Sequence, residues 1–344
     1  MTDTRKKSRI RKKKVRRRKR LLFILVPFLI LIGATTAYGA YLYNKAGEVV
    51  SDSYEDVGRE KSELRAEEVD PNVDNVSVLF IGVDDSEKRN YDGNSRSDAL
   101  MLATLNKDDN SVKLLSIPRD SYVYVPEVGY NTKINHAHAY GGPRASIEAV
   151  EGMLDIPVDY YVRMDFEAFI DVVDALNGIN VDVPYEMSEQ DSNDKAGAIH
   201  LMPGEQTLNG EEALALARTR KQDSDIERGK RQQEIIQAII SKATSLGSIT
   251  KFDDLMVAVG DNMRTNMTFN EMKSFISYGT SGDLNVETLN LKGYDTRING
   301  IYYYQLDDTD LANKRIELRE QLDLQESEHP DTESSTETGT QTQQ

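Results

Sequence analysis

Three segments decide the fold: VSVLFIGVD at 76–84, RSDALMLATL at 96–105 and VKLLSIPRD at 112–120. The first is an unbroken apolar run closed by Gly82 and Asp84, the pattern of a strand buried on both faces. The second starts just after Asp98, and the third is stopped by Pro118, with NKDDNS (106–111) as the turn between them. Such a series predicts an antiparallel meander. The end of the first strand, the start of the second and the end of the third then share one edge of the sheet. Asp84, Arg96, Asp98 and Arg119 become neighbours, two carboxylates and two guanidiniums at one rim. Singly, each suits a solvated ion pair worth little; four at one edge make a candidate site.

Downstream, helix and strand patterns alternate. RASIEAVEGMLD (144–155), FEAFIDVVDAL (166–176) and NGEEALALARTR (209–220) have helical spacing. DYYVRM (159–164), GINVDVP (178–184), NVETLNLKG (285–293) and GIYYYQL (300–306) read as strands. The alternation predicts an α/β fold with helices covering a central mixed sheet.

The flanks differ in composition from this body. Thirteen Lys or Arg lie in residues 5–20, against a formal net charge of −16 for all 344 residues. Leu21–Tyr43 is a 23-residue stretch without a charge, which as a helix spans roughly 35 Å, enough to cross a bilayer. The positive-inside rule puts the basic end in the cytoplasm and the body outside. A cleaved signal peptide is the rival, but the stretch is long for one. Residues 44–75 are polar and suit a stalk, and 324–344 have too little to bury to fold. The expected organisation is a cytoplasmic tail (1–20), a transmembrane helix (21–43), a stalk (44–75), a folded domain (76–323) and a disordered tail (324–344). No cysteine is present, which excludes thiolate catalysis and zinc–thiolate sites. The basic tail reads as an orientation signal; no DNA-binding motif accompanies it, and no nucleic-acid partner is expected.

Arginines gather where an acidic protein would not be expected to place them. In SDIERGKRQQEIIQAII (224–240), Ser224 and Glu227 form a capping-box signature, so a helix starts there. Arg228 and Gln232 fall on the stripe of Ile235 and Ile239, while Arg231 sits about 60° aside. A cation one turn from a helix start opposes the macrodipole by about 0.3–1 kcal/mol, and turned inward it needs a partner. Asp223, Asp225 and Glu227 are one choice. A bound anion is the other, because helix N-termini and guanidiniums both suit phosphate. Arg218 and Arg220, two apart, diverge on a continuous helix and converge only where the helix ends.

The segments LFIGVD, RSDALML, SIPRDSYVYVP, KINHAHAYGG, RTR and DIERGKRQQ occur in the order and approximate spacing of the LytR–CpsA–Psr family, which this chain resembles over about 76–246. In length and plan it is similar to that family's teichoic acid transferases. The resemblance implies an extracellular α/β/α domain anchored in the cell membrane of a Gram-positive envelope. It implies transfer of an anionic glycopolymer, wall teichoic acid foremost, from an undecaprenyl-pyrophosphate carrier to peptidoglycan, as a phosphodiester on the 6-hydroxyl of N-acetylmuramic acid. Magnesium is the implied cofactor, held by Asp84 and Asp98. The implied pyrophosphate grip is Arg96, Arg119, Arg218, Arg220, Arg228 and Gln232, with Arg231 a weaker member. Asp84, Asp98 and Arg119 are the expected catalytic residues, and one aspartate is a candidate to take the acceptor proton.

Phe169, Ile235 and Ile239 are expected to meet the lipid, among the inward helix residues that include Phe166, Ile170 and Val173. Two departures stand out. The loop after Asp84 reads DSEKRN, leaving the role of Arg89 open. KINHAHAYGG carries His136 and His138, which on one face of a strand would make a metal pair, though hydrogen-bonded histidines are the commoner case. Two other readings remain compatible with the residues: a hydrolase of the lipid pyrophosphate, and a membrane-tethered regulator whose basic tail contacts DNA.

Overall fold

A computed structural model describes residues 32–84, 95–220, 225–245, 255–275, 278 and 284–324. The meander forms as β1 (Val76–Val83), β2 (Ser97–Asn106) and β3 (Ser111–Ser116), all antiparallel. Next in chain order come the β4–β5 hairpin (Tyr122–Val125, Tyr130–Lys133), α2 (Asn135–Leu154) and β6 (Tyr160–Met164). Then follow α3 (Phe166–Ala175), β7 (Ile179–Val183), the β8–β9 hairpin (Met187–Glu189, Ile199–Leu201) and β10 (Gly204–Leu208). The later elements are α4 (Gly210–Arg218), α5 (Asp225–Ser245), β11 (Met263–Thr265), β12 (Asn285–Asn290), the β13–β14 hairpin (Gly293–Ile298, Ile301–Leu306) and a last helix, Asp308–Gln321.

The central sheet is mixed, in the order β11-β6-β1-β2-β3-β12. β6 runs parallel to β1 and β12 parallel to β3. Alternation sends Leu79, Ile81, Leu100, Leu102 and Leu115 into a core with α2 and the last helix. It sends Val76, Val78, Met101, Ala103 and Leu114 into a second core shared with α3 and α5. The sheet is thus the middle of three layers. GINVDVP does form a strand, but outside this sheet, paired with β10.

Residues 44–75, expected as a stalk, pack onto the body. A helix whose described part is 32–53 (α1) buries Leu42, Ala46, Val49, Val50 and Ser53, an i, i+4, i+7, i+8 stripe. Beyond it, Arg59 grips Glu151 at 2.6 and 3.0 Å, and Arg65 grips Asp159 at 2.7 and 2.9 Å. The polar average of the segment concealed a regular apolar face. Of the expected membrane span, 21–31 lies outside the described residues; among those described, no helix is long and apolar enough to cross a membrane. The segments 1–20 and 325–344, Arg89 and Ser224 also lie outside them.

Candidate functional site

One row of paired residues makes the floor of a cavity on the α3/α5 side of the sheet. Phe80 of β1 lies opposite Met101 of β2 on one side and Val162 of β6 on the other. All three line a cavity of about 320 Å³, within the size range of ligand sites. Its walls are the start of α3 (Phe166, Phe169), the end of α4 (Leu214, Ala217) and the first turns of α5. Where β1 ends and β2 begins the lining turns polar, with Asp84 and Asp98 beside Arg218, Arg220, Arg228 and Gln232.

Each polar residue arrives by a local cause. Alpha-4 ends at Arg218, and Thr219 leaves it in an extended conformation (φ −57°, ψ 142°). A continuous helix would splay Arg218 and Arg220 apart; this break lets both line the cavity. The Arg218 guanidinium lies 4.4 Å from the Phe166 ring centroid, a cation–π contact. On α5, Arg228, Gln232, Ile235 and Ile236 all reach the cavity, so one helix face grades from cationic to apolar within two turns. Gly229 permits this: a Cβ there would fall 2.6 Å from Ser116 Oγ at the end of β3. Glycine in a helix costs roughly 1 kcal/mol, and here it lets the helix start close to the sheet edge. Buried Gln233 fixes the helix further, donating to Leu114 O at 2.8 Å and Leu289 O at 2.6 Å.

Arg228 and Arg231 are both buried, 5% and 4% exposed, yet they serve different ends. Arg231 donates to Leu216 O at 3.2 Å and Thr219 O at 2.7 Å, satisfying carbonyls at the end of α4. A cation there complements the helix dipole. Arg231 is absent from the cavity lining, whereas Arg228 is part of it.

The meander edge forms as expected, but two of its four residues, Arg96 and Arg119, are displaced from the cavity. Arg119 Nη1 donates to Asp98 Oδ1 at 2.6 Å; it is off the cavity wall and reaches the lining through that carboxylate. Arg96 is exposed and off the wall; it stands near enough to His136 to help hold that imidazole below its usual range, burial being the larger cause. Phe169 and Ile235 line the cavity, while Ile239 packs one turn deeper in the core. Phe166 also lines it, but Ile170 lies against Gly210 and Val173 is fully buried in a separate core cluster.

His136 and His138 sit in the first turn of a helix, not on a strand, and each has its own partner. His136 Nδ1 is 2.9 Å from Thr132 Oγ1, and His138 Nδ1 donates to Ser95 O at 2.7 Å. Two positions apart on a helix, their side chains diverge, which removes the metal-pair reading. The first turn of α2 instead braces the site: His138 holds the backbone leading to Arg96 and Asp98, and Asn135 N–H donates to Arg119 O at 3.2 Å. Burial pushes His138 below the usual imidazole range, as a neutral ring with the proton on Nδ1 requires.

Sequence reasoning missed Asp165 and the floor residues. Asp165 lines the cavity and caps α3 by accepting from Ala168 N at 2.9 Å; burial raises its carboxyl above the usual range. Its capping pattern, Asp165 before an apolar helix, was a readable signal. The floor was not readable, since it depends on β6 pairing with β1 across 80 residues.

A family model described as the LytR_cpsA_psr family matches residues 40–320. Polyisoprenyl-teichoic acid–peptidoglycan teichoic acid transferase TagT of Bacillus subtilis (strain 168) is 40% identical over 323 residues, 93% of this chain and 99% of its own. A solved structure of TagT bound to LIIa-WTA aligns with a TM-score of 0.66 at 42% identity, covering 77% of this chain and 97% of that one. YwtF (TagT) with bound octaprenyl pyrophosphate lipid aligns at 0.62 and 38%, covering 77% and 98%. By sequence match over most of its length and by shared architecture, the chain belongs to the LytR–CpsA–Psr family.

Proposed function

We propose that this chain is a transferase that moves a teichoic acid-type anionic glycopolymer from a polyprenyl-pyrophosphate carrier to peptidoglycan. The observation that carries the reading is the graded cavity, lined by three guanidiniums and three carboxylates (Asp84, Asp98 and Asp165), with aromatic and aliphatic side chains beyond them. That gradient matches a diphosphate joined to an isoprenoid chain. Relatives named for this transfer, and a relative holding octaprenyl pyrophosphate, support it.

In this reading Arg218, Arg220 and Arg228 bind the diphosphate oxygens, with Gln232 beside them. Arg119 holds Asp98 in place. The acceptor hydroxyl oxygen attacks the polymer-side phosphorus, its proton passes to Asp84 or Asp98, and the bond to the bridging oxygen breaks to release polyprenyl phosphate. Positioning and charge neutralisation carry such a step. The arginines stabilise the charge that develops on the leaving phosphate.

The donor set fits magnesium. Asp84 and Asp98 are hard oxygen donors on the cavity lining, the kind that suit magnesium, which takes few carboxylates and completes its shell with phosphate oxygens and water. Asp84 and Asp98 would hold it. When bound it supplies further neutralisation of the diphosphate. The 23-residue apolar stretch and basic tail support a position on the outer face of the cell membrane in this reading.

The test is a reconstituted assay with lipid-linked polymer, with and without a glycan-strand acceptor. Polymer joined to the strand, chelator-sensitive and restored by magnesium, is the expected result. Release of polymer into water at the same rate with and without acceptor would replace the transferase by a hydrolase.

A further inference from the structure

The leading half of α1 has a surface of its own kind. From Ile32 to Tyr43 it holds no charged residue, yet every residue from 32 to 41 except Gly39 is exposed. Thr35 and Thr36 turn their hydroxyls back to Ile32 O, at 2.9 and 2.8 Å, which spends both donors inside the helix. Tyr38, Tyr41 and Tyr43 follow, 62, 61 and 43% exposed. A helix exposed to water carries polar and charged residues on its outer face. Tyrosines closing an uncharged helical run suit a bilayer boundary instead, where the ring has an apolar body and a wet tip. The uncharged run reaches back to Leu21 in the sequence.

The body meets α1 at this level. Tyr43 packs edge-on against Phe269 of a short helix (Phe269–Ser274) at 5.3 Å, and Lys273 of the same helix stands 4.7 Å from the Tyr43 ring centroid. This short helix lies at the start of β6, where Glu271 accepts from Tyr160 Oη at 3.1 Å. Alpha-1 then continues unbroken to Ser53, whose Oγ donates to Gly260 O at 3.2 Å. That contact lies by the other end of β6: Asn262 O accepts from Asp165 N at 3.3 Å, and Met263 pairs with Met164. Alpha-1 therefore rises from the tyrosine level towards the edge that bears Asp84 and Asp98. Tyr43 to Ser53 is ten residues, about 15 Å of helix.

We propose that α1 and the short helix seat the domain directly on a phospholipid bilayer, with the headgroups at Tyr38–Tyr43 and Lys273, and that the arginine end of the cavity is thereby held about 15 Å above them. The inference rests on the lipid-carrier reaction proposed above and extends it. A diphosphate bound at that height has been drawn out of the headgroup layer. The apolar floor, midway along β1 and β6, lies between the two levels and receives the isoprenoid as it leaves the bilayer. A flexible stalk would impose neither height nor orientation; a continuous helix packed on the body imposes both.

The chain has no cysteine, so single substitutions carry a nitroxide label without background. The full chain is placed in vesicles of phosphatidylethanolamine and phosphatidylglycerol and labelled at Tyr38→Cys, Asn270→Cys or Tyr124→Cys. Access of oxygen, which concentrates in lipid, is compared with that of a water-soluble nickel chelate. The Tyr38→Cys label is expected to favour oxygen most strongly, and Asn270→Cys on the short helix to show the intermediate ratio of the headgroup layer. Tyr124→Cys, on the hairpin after Arg119, is expected to behave as in water. An Asn270→Cys label indistinguishable from Tyr124→Cys overturns the seating, because the domain then stands clear of the lipid. A Tyr38→Cys label reached freely by nickel overturns the headgroup level. A Tyr38→Cys spectrum broadened by a second label, and reached by neither reagent, overturns the proposal in favour of a second copy of the chain. The depths are read without substrate. The expected order with no polymer transfer by wild type therefore removes the reaction and leaves the seating; transfer with Asn270→Cys in water does the reverse.

Discussion

Arg228 and Arg231 lie one turn apart on α5, equally buried, and differ in what surrounds them. Arg231 closes the carbonyl end of α4; Arg228 faces a cavity. The helical angle separated them correctly in the sequence, because a 60° difference decides which neighbouring element a side chain meets. It did not say that Arg231 would be buried too, since that depends on α4 ending at its side. His138 is a second case of position deciding role. Its Nδ1–H is committed to Ser95 O and burial lowers its pKa below 6.5. The unfolded chain therefore takes up the proton first as pH falls through about 6.5. Stability is fully present above that value and is lost towards the lower folded pKa. Urea unfolding at pH 7.5 and 5.5 should show this loss in the wild type and a smaller loss in His138→Asn, which keeps a donor without the titration. His136, also lowered, contributes in the same direction. An unchanged slope in the variant would contradict this role.

At the scale of elements, legibility followed sequence distance. The meander, α3, α4 and the start of α5 were all visible, because each is set by local periodicity and a stop signal such as Gly82 or Pro118. The edge cluster was visible because a meander's geometry is local. The flanking strands β6, β11 and β12 owe their places to pairing with distant partners, and the cavity floor depends on one of those pairings. The segment 44–75 escaped notice because its apolar stripe is short and sits among polar residues, and because arginines complete its anchoring. Arg65 holds Asp159, whose side chain is only 2% exposed and also accepts from Ser77 N at 2.9 Å. Removing one partner of a buried pair strands the other charge. Arg65→Ala is expected to lower unfolding free energy by about 3 kcal/mol in urea titration; a loss under about 0.5 kcal/mol would mark the pair as an ordinary surface contact.

Across the whole molecule, charge is divided. The first 43 residues carry +12 and the remaining 301 carry −28, so the body repels an anionic polymer except where arginines meet it. Repulsion of that kind speeds departure of product and is screened by salt. Turnover at saturating donor is therefore expected to fall as ionic strength rises from about 0.05 to 0.5 M, and turnover indifferent to salt would remove this role for the acidic surface. The claim on which the account depends is that a lipid diphosphate lies in the cavity with its phosphates on the arginines. The direct measurement is the dissociation constant of octaprenyl pyrophosphate for Arg228→Ala and Arg231→Ala, each with its thermal midpoint. Loss of charge-assisted hydrogen bonds predicts binding weaker by about 10- to 100-fold in Arg228→Ala. Arg231→Ala should lower the midpoint and leave affinity within about threefold. Wild-type affinity in Arg228→Ala would contradict the account.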